Sequence, residues 1–367
     1  MSRLYCFDKG GRQERLPLVR QHKAPKDFFY GILDLIDRGY DVVNLSSSDP
    51  YKGIFGFYFR FIELAWSHFT KLGLRKRLIY LYSGRFRVDD IVISFTDGFS
   101  LTLGNFFKVS KQSRPYLIGC FHRLSDIDSK VPYLIKPFVY RLIRKSLLNL
   151  DHIAFFGPAD RDYSISYYGL SKHKTSIIRF GVDTSFWSPS TNTSDSYIFS
   201  MGQDPCRDFD TLIASDISFP VRIHTALRLS IPSSKKNVEL TRGSYHNSSL
   251  TDLQLLDLYR ESILVVVPLK DVYQPSGYSV TLQAMSCSKP VIITRTRGLW
   301  APHLFVDGVN CLFVEPGNIH ALSFAINQLL ADKDLRIKLG SNGRKTVEEH
   351  FSCANAADSL EAIIEKL

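Results

Sequence analysis

Cysteine is scarce in this chain of 367 residues, and the six present, Cys6, Cys120, Cys206, Cys287, Cys311 and Cys353, are widely scattered. No C-x-x-C pair and no His/Cys cluster occurs, which argues against zinc sites and against a disulfide framework. Long apolar runs are lacking too, since no stretch reaches the ~18 apolar residues that a membrane span needs. The opening MSRLYCFDKGGRQERL carries charge throughout and offers no apolar signal segment. These shortages lead us to expect a reducing, cytoplasmic setting. What is present, 44% apolar residues over this length, suits two α/β domains that each bury their own core.

The most informative stretch is YQPSGYSVTLQAMSCSKP, Tyr273 to Pro290, which runs directly into VIIT. A Pro-Ser-Gly turn precedes an expected helix over 278–286, and a Lys-Pro return leads into a buried strand. Gly277 admits close backbone approach, and the helix start presents unpaired N–H groups and a positive dipole end, so an anion is expected there. Gln283 is the long polar side chain of that helix, flanked by core-facing Leu282, Ala284 and Met285. Taken alone, the turn also fits an ordinary strand-loop-helix unit.

The stretch resembles the donor-sugar motif of the family 4 glycosyltransferases, E-P/G-x-G followed by L-E-A-M-A-x-G-x-P-V-I. Gln274-Pro275-Ser276-Gly277 matches its first part; Leu282-Gln283-Ala284-Met285 through Lys289-Pro290-Val291-Ile292 match its second. IIRFGVDTSFWSP, YIFSMGQDPCRDFDTLIAS, RTRGLWAPHLFVDGVNCLFVEPGN and NIHALSFAINQLLADKDLRIKLGSNGRKTVEEHFS are similar to other family phrases in the same order. The likeness covers about half the chain; the N-terminal half matches loosely.

The resemblance implies an α/β chain of the GT-B fold, two Rossmann-like domains with parallel sheets facing a central cleft. Residues 1–180 would bind the acceptor and 181–350 the nucleotide sugar, and 351–367 would be a helix crossing back to the first domain. It implies a retaining glycosyltransferase that moves a sugar from a UDP- or GDP-sugar to a glycan or lipid-linked acceptor in cell-envelope or polysaccharide biosynthesis. The nucleotide sugar is a substrate; no cofactor, metal or nucleic-acid partner is expected. The D-x-D strings at Asp126–Asp128 and Asp208–Asp210 are short enough to arise by chance.

Two departures matter. Both glutamates of the motif are glutamines, Gln274 and Gln283, with one extra residue between them, so charge-assisted bonds to the ligand give way to neutral ones of roughly half the strength. A catalytically inactive sugar-nucleotide-binding or scaffold protein is therefore the alternative. As the resemblance implies, Gln274 would contact the sugar and Gln283 the ribose; the N–H groups around Gly277, Tyr278, Ser279 and Val280 would meet the diphosphate, with Ser276 also at the donor site. The family's first phosphate-binding Arg is replaced by Gln203, which leaves Arg207 as the cationic candidate, with a salt bridge to Asp208 or Asp210 as the competing expectation. Tyr245 is placed near the nucleobase by position alone.

Charge is uneven: residues 1–180 carry a net +13 and residues 181–367 a net −3. Within 51–87, eight basic residues and eleven aromatic rings accompany a single acidic residue, Glu63. At helical spacing Arg60, Glu63, Ser67 and Lys71 form one narrow stripe, and aromatics including Phe59 and Trp66 fill the rest. Followed by Arg75, Lys76 and Arg77, this reads either as a helix in an anionic membrane interface, peripheral on the inner face, or as a core helix with a solvated basic loop. Nucleic-acid binding fits less well, because the aromatics form a block instead of alternating with basic residues.

In the N-terminal half strands are expected at 3–7, 41–46, 78–82, 90–95 and 115–121, and a helix at 26–38. In such parallel sheets ligands bind beyond the C-terminal strand ends. That singles out Asp97 and Gly98 after one strand and His122 and Arg123 after another, Asp97, Gly98 and Arg123 on the acceptor side. By the resemblance, His122 would hold the transferring sugar or a donor phosphate.

Overall fold

The computed structural model describes residues 3–7, 12–45, 53–107, 114–191, 194–243 and 250–367. The chain divides into two compact units, the first of Met1–Leu16, Phe28–Arg179 and Ala356–Leu367, the second of Pro17–Asp27 and Phe180–Asn355. Two segments thus depart from a plain division at residue 180: 17–27 belongs with the second unit, and most of the last helix, Cys353–Ile364, with the first.

The first unit is built on β1 (Leu4–Phe7), β2 (Val42–Leu45), β3 (Ile91–Ser94), β4 (Tyr116–Phe121), β5 (His152–Phe155) and β6 (Thr175–Ile177). They form one parallel sheet in the order β2-β1-β3-β4-β5-β6. β3 reads IVIS and is buried throughout, the near-continuous apolar text of a strand covered by helices on both faces. The last helix is tied to this unit by Arg38, which pairs with Asp358 at 2.7 Å and Glu361 at 2.5 Å, and by Tyr40, whose hydroxyl donates to Glu361 at 2.9 Å.

Two expected elements differ. Residues 26–38 are not one helix but a short 3-10 turn, Asp27–Phe29, and a helix, Ile32–Asp37, separated by Tyr30 (φ 52°) and Gly31 (φ 83°). Gly31 packs its α-carbon on the last helix, where a Cβ would lie 2.5 Å from the Ala357 nitrogen. Residues 78–82 are helical, within Lys76–Ser83: Leu78 and Ile79 bury one face, and the Glu63 carboxylate accepts the Arg77 N–H at 3.0 Å in the first turn.

The second unit contains β7 (Tyr197–Met201), β8 (Val221–Thr225), β9 (Val238–Arg242), β10 (Ser262–Val267), β11 (Val291–Thr294) and β12 (Leu312–Val314), again all parallel, in the order β12-β11-β10-β7-β8-β9. The chain first winds outward from β7 to β9, then returns to β10 beside β7 and winds the other way. That reversal opens a crevice beyond the carboxyl ends of β7 and β10, the place where open α/β sheets bind ligands.

Candidate active site

The loops leaving β7 and β10 meet at this switch point. Asp208 donates its backbone N–H to the Pro268 carbonyl at 3.0 Å, and Lys270 to the Cys206 carbonyl at 2.9 Å, so the two loops are held in register. The β10 loop then forms the expected turn and enters the helix Tyr278–Ser286 at the residue foreseen for it. Gly277 caps that helix in the left-handed conformation (φ 83°) with no side-chain cap hydrogen bond, and the positive end of a helix dipole favours an anion at such a start.

Arg207 lies beside this helix start. Its side chain is buried, 6% exposed, yet Nε and Nη1 have no hydrogen-bond partner. Burial pushes its pKa down to about 10, with the Asp204 carboxylate pulling the other way, so it remains a cation at neutral pH. Two glycines make room for it: a Cβ at Gly202 would fall 2.2 Å from Nε, and one at Gly277 3.3 Å from Nη1. The competing salt bridge to Asp208 or Asp210 does not form among the described residues; Asp208 instead caps the helix Phe209–Ala214 through Thr211. A buried, unpaired guanidinium is costly in a folded protein, by several kcal/mol, and one at a helix N-terminus is suited to an anion.

The turn itself is organised by a carboxylate absent from the expected set. Asp204 accepts the Ser276 hydroxyl at 3.1 Å, the Cys206 N–H at 3.0 Å and, at 3.3 and 3.4 Å, the Gln274 amide. Gln274 is 2% exposed and its Oε1 has no partner, so an acceptor without a donor lies in the same turn as the donors without an acceptor.

Gln283, expected on a ribose hydroxyl, donates Nε2 to the Asp27 carboxylate at 2.9 Å, and its Oε1 accepts from the Tyr259 hydroxyl at 3.0 Å. Asp27 is fully buried and also accepts the Trp187 Nε1–H at 2.7 Å and the Asp183 N–H at 2.6 Å. Burial pushes its pKa up to about 7 against those donors. A glutamate at 283 would set a second carboxylate against this one, which gives a physical reason for the glutamine.

Of the remaining candidates, Tyr278 packs its ring on Phe180 at 4.5 Å and Val280 is buried, while Ser279 is half-buried on the first turn. Tyr245 lies outside the described residues. In the first unit Asp97 joins two strand ends, accepting the N–H groups of His122 at 3.0 Å and Arg123 at 3.2 Å. The His122 ring stacks on Phe156 at 4.2 Å and sets Nε2 2.9 Å from the Phe95 carbonyl, which requires that nitrogen to be the donor. Desolvation lowers its pKa, so it is neutral. Gly98 has a packing role, its α-carbon against the Gly73 backbone, where a Cβ would meet the carbonyl at 2.2 Å. The Arg123 side chain is exposed.

The helix Gly53–Thr70 is not a core helix. Glu63 and Thr70 are buried against the unit, while Phe57, Phe61 and Phe69 are 73%, 65% and 65% exposed, with Ile54, Tyr58, Phe59, Ile62, Leu64 and Trp66 exposed beside them. The expected polar stripe thus includes a side chain that faces inward, and the apolar side faces out. Trp66 meets Phe138 edge-on at 6.0 Å, and Phe138, Tyr133 and Leu134 are exposed as well. Arg77 sets its guanidinium 5.2 Å from the Phe59 ring; Arg75 is half-buried and Lys76 exposed. Among the described residues no helix is long and apolar enough to cross a membrane.

Residues 236–346 match the family described as glycosyl transferases group 1. An uncharacterized glycosyltransferase of Methanocaldococcus jannaschii is 32% identical over 103 residues, 28% of this chain and 25% of that protein. The capsular polysaccharide biosynthesis glycosyltransferase CapM of Staphylococcus aureus is 35% identical over 85 residues, 23% of this chain and 22% of its own. These matches span about a quarter of the curated relatives' length. Among solved structures, Anabaena HepE in complex with UDP superposes with a TM-score of 0.63 at 14% identity, covering 100% of both chains; the same protein has been solved with UDP-glucose. Residues 236–346 thus carry the likeness to the group 1 glycosyltransferases, and the two six-stranded parallel sheets give the chain the two-domain, Rossmann-like GT-B fold of these solved structures.

Proposed function

We propose that this chain is a glycosyltransferase of polysaccharide or glycan biosynthesis that takes its sugar from a nucleotide diphosphate sugar. The observation that carries the reading is the buried guanidinium of Arg207, without partners at Nε and Nη1, beside the open helix start at Gly277. A diphosphate would accept from Arg207 and from the N–H groups of the helix's first turn. Charge on the leaving diphosphate grows as the glycosidic bond breaks, so donors already fixed in place there favour the transition state over the ground state. Gln274, with an unused acceptor, would meet a hydroxyl of the sugar. No side chain of the site is assigned as nucleophile, in keeping with transfer that retains configuration through assistance by the leaving phosphate. Because Arg207 and the helix start neutralise charge, the reaction is read as metal-independent and should survive a chelator.

UDP is the favoured nucleotide, since HepE, of the same fold, has been solved with UDP and with UDP-glucose. The first domain, with its net positive charge, is assigned the acceptor. Its outward-facing aromatics and the basic residues around them fit an anionic lipid surface, which would bring the enzyme to a lipid-linked acceptor. The test is transfer and hydrolysis with UDP- and GDP-sugars against glycan and lipid-linked acceptors. Turnover of at least one donor, abolished by Arg207→Ala, is expected. Tight nucleotide-sugar binding with no turnover for any acceptor would instead establish the non-catalytic alternative.

A further inference from the structure

Asp204 has no place in the motif read from the sequence, yet it sits at the centre of the turn. It leaves the end of β7 three residues before Arg207, and its carboxylate is turned onto the β10 loop: Oδ2 accepts from Ser276 and Oδ1 from the Cys206 N–H. It forms no ion pair with Arg207, whose Nε and Nη1 stay unpartnered. Two ordinary hydrogen bonds leave capacity on a carboxylate, which offers about four acceptor positions. The contacts from Gln274 Nε2, at 3.3 and 3.4 Å, are long, and that nitrogen lies nearer the Cys206 sulfur at 2.9 Å.

The turn therefore holds two kinds of incomplete group. On one side are donors without acceptors, Nε and Nη1 of Arg207, set beside a helix start. On the other are acceptors with room for donors, Gln274 Oε1, buried and without any partner, and Asp204 beside it. A bare phosphate would answer the first set and repel the second. A ligand with an anionic end and a polyhydroxyl end answers both.

Resting on the nucleotide-sugar reading, we propose that Asp204 is the charged acceptor for the hydroxyl groups of the transferred sugar, and that Gln274 works as its neutral neighbour. Asp204 thus discriminates a nucleotide sugar from the bare nucleotide, whereas Arg207 binds both. The carboxylate that a sugar site uses for strong, charge-assisted bonds lies on the β7 loop.

The test compares the affinity of UDP-glucose with that of UDP in four forms of the full chain, by calorimetry: wild type, Asp204→Asn, Gln274→Glu and the double variant. Asp204→Asn should weaken UDP-glucose by about tenfold to a hundredfold, the range for a lost bond to a charged group, and leave UDP within about twofold. Asp204→Asn with Gln274→Glu, which returns a carboxylate to the turn from the other loop, should recover most of the loss. A parallel loss for both ligands would mean that Asp204 only braces the turn and would overturn the proposal, as would no loss for either, or failure of the relocated carboxylate to rescue. If Asp204→Asn does not fold, Asp204→Ser, which keeps an oxygen for the Cys206 N–H, serves the same comparison. Should the wild type bind neither UDP nor UDP-glucose, while GDP and GDP-mannose bind, the comparison is made with that pair; no binding of any of them sinks the nucleotide-sugar reading and this inference together.

Discussion

Gln283 donates its amide to the carboxylate of Asp27 at 2.9 Å, across 256 positions of sequence, and so ties residues 17–27 into the second unit. The bond explains why an amide suits position 283. Gln283→Glu is expected to place two buried carboxylates in contact and to destabilise the chain by about 3–5 kcal/mol when both are ionised. Denaturant unfolding at pH 8 measures this; stability equal to wild type would show that the helix can move away from Asp27.

The same carboxylate makes stability depend on pH. Its folded pKa of about 7 lies above the ordinary 3.8, so the folded state holds the proton more tightly. The stabilisation is fully present below about pH 4, declines as pH rises toward 7 and is gone above it, with a limiting slope of about 1.4 kcal/mol per pH unit. Asp27→Asn should remove that slope. The difference between wild-type and Asp27→Asn unfolding free energies, followed from pH 4 to 9, should fall and then level off; a rise over that range would contradict the assignment.

Gly202 makes room for Arg207. Its φ is 148°, and the methyl carbon of an alanine there would fall 2.2 Å from Nε, so the substitution must displace the guanidinium as well as strain the backbone. Gly202→Ala should cost about 1–3 kcal/mol of stability and weaken UDP by about as much as Arg207→Ala does. Calorimetry on the two variants checks this.

For the outward-facing helix Gly53–Thr70, reversing Arg75, Lys76 and Arg77 to Glu should lower partition onto vesicles containing anionic lipid by roughly a hundredfold or more, at ~1 kcal/mol for each charge near the surface. Phe57→Ser with Phe61→Ser should lower it at high salt as well. Co-sedimentation with anionic and neutral vesicles decides, and binding untouched by either change would remove the membrane from the account.

Much of this architecture is legible in the sequence. Tyr278–Ser286 begins where Gly277 ends the turn, because local chemistry sets both, and apolar strands such as IVIS announce a buried parallel sheet. What escapes is set by distant partners. Residues 78–82 read as a strand by composition but become helical with a capping carboxylate from Glu63, fourteen positions before Arg77. Gln283 looks available in the sequence because Asp27 and Tyr259 approach it only in the folded chain. Asp204 stands in the phrase YIFSMGQDPCRDFD, directly before Pro205, but nothing local says that its carboxylate turns onto Gln274 and Ser276.

In the proposed function, Arg207 and the start of helix Tyr278–Ser286 hold the diphosphate of a nucleotide sugar. Titration of wild type and Arg207→Ala with UDP and GDP tests it most directly. The wild type should bind at least one of them, and the variant, still folded, should bind it about tenfold to a hundredfold more weakly. Equal binding by both proteins, or none by the wild type, would contradict it.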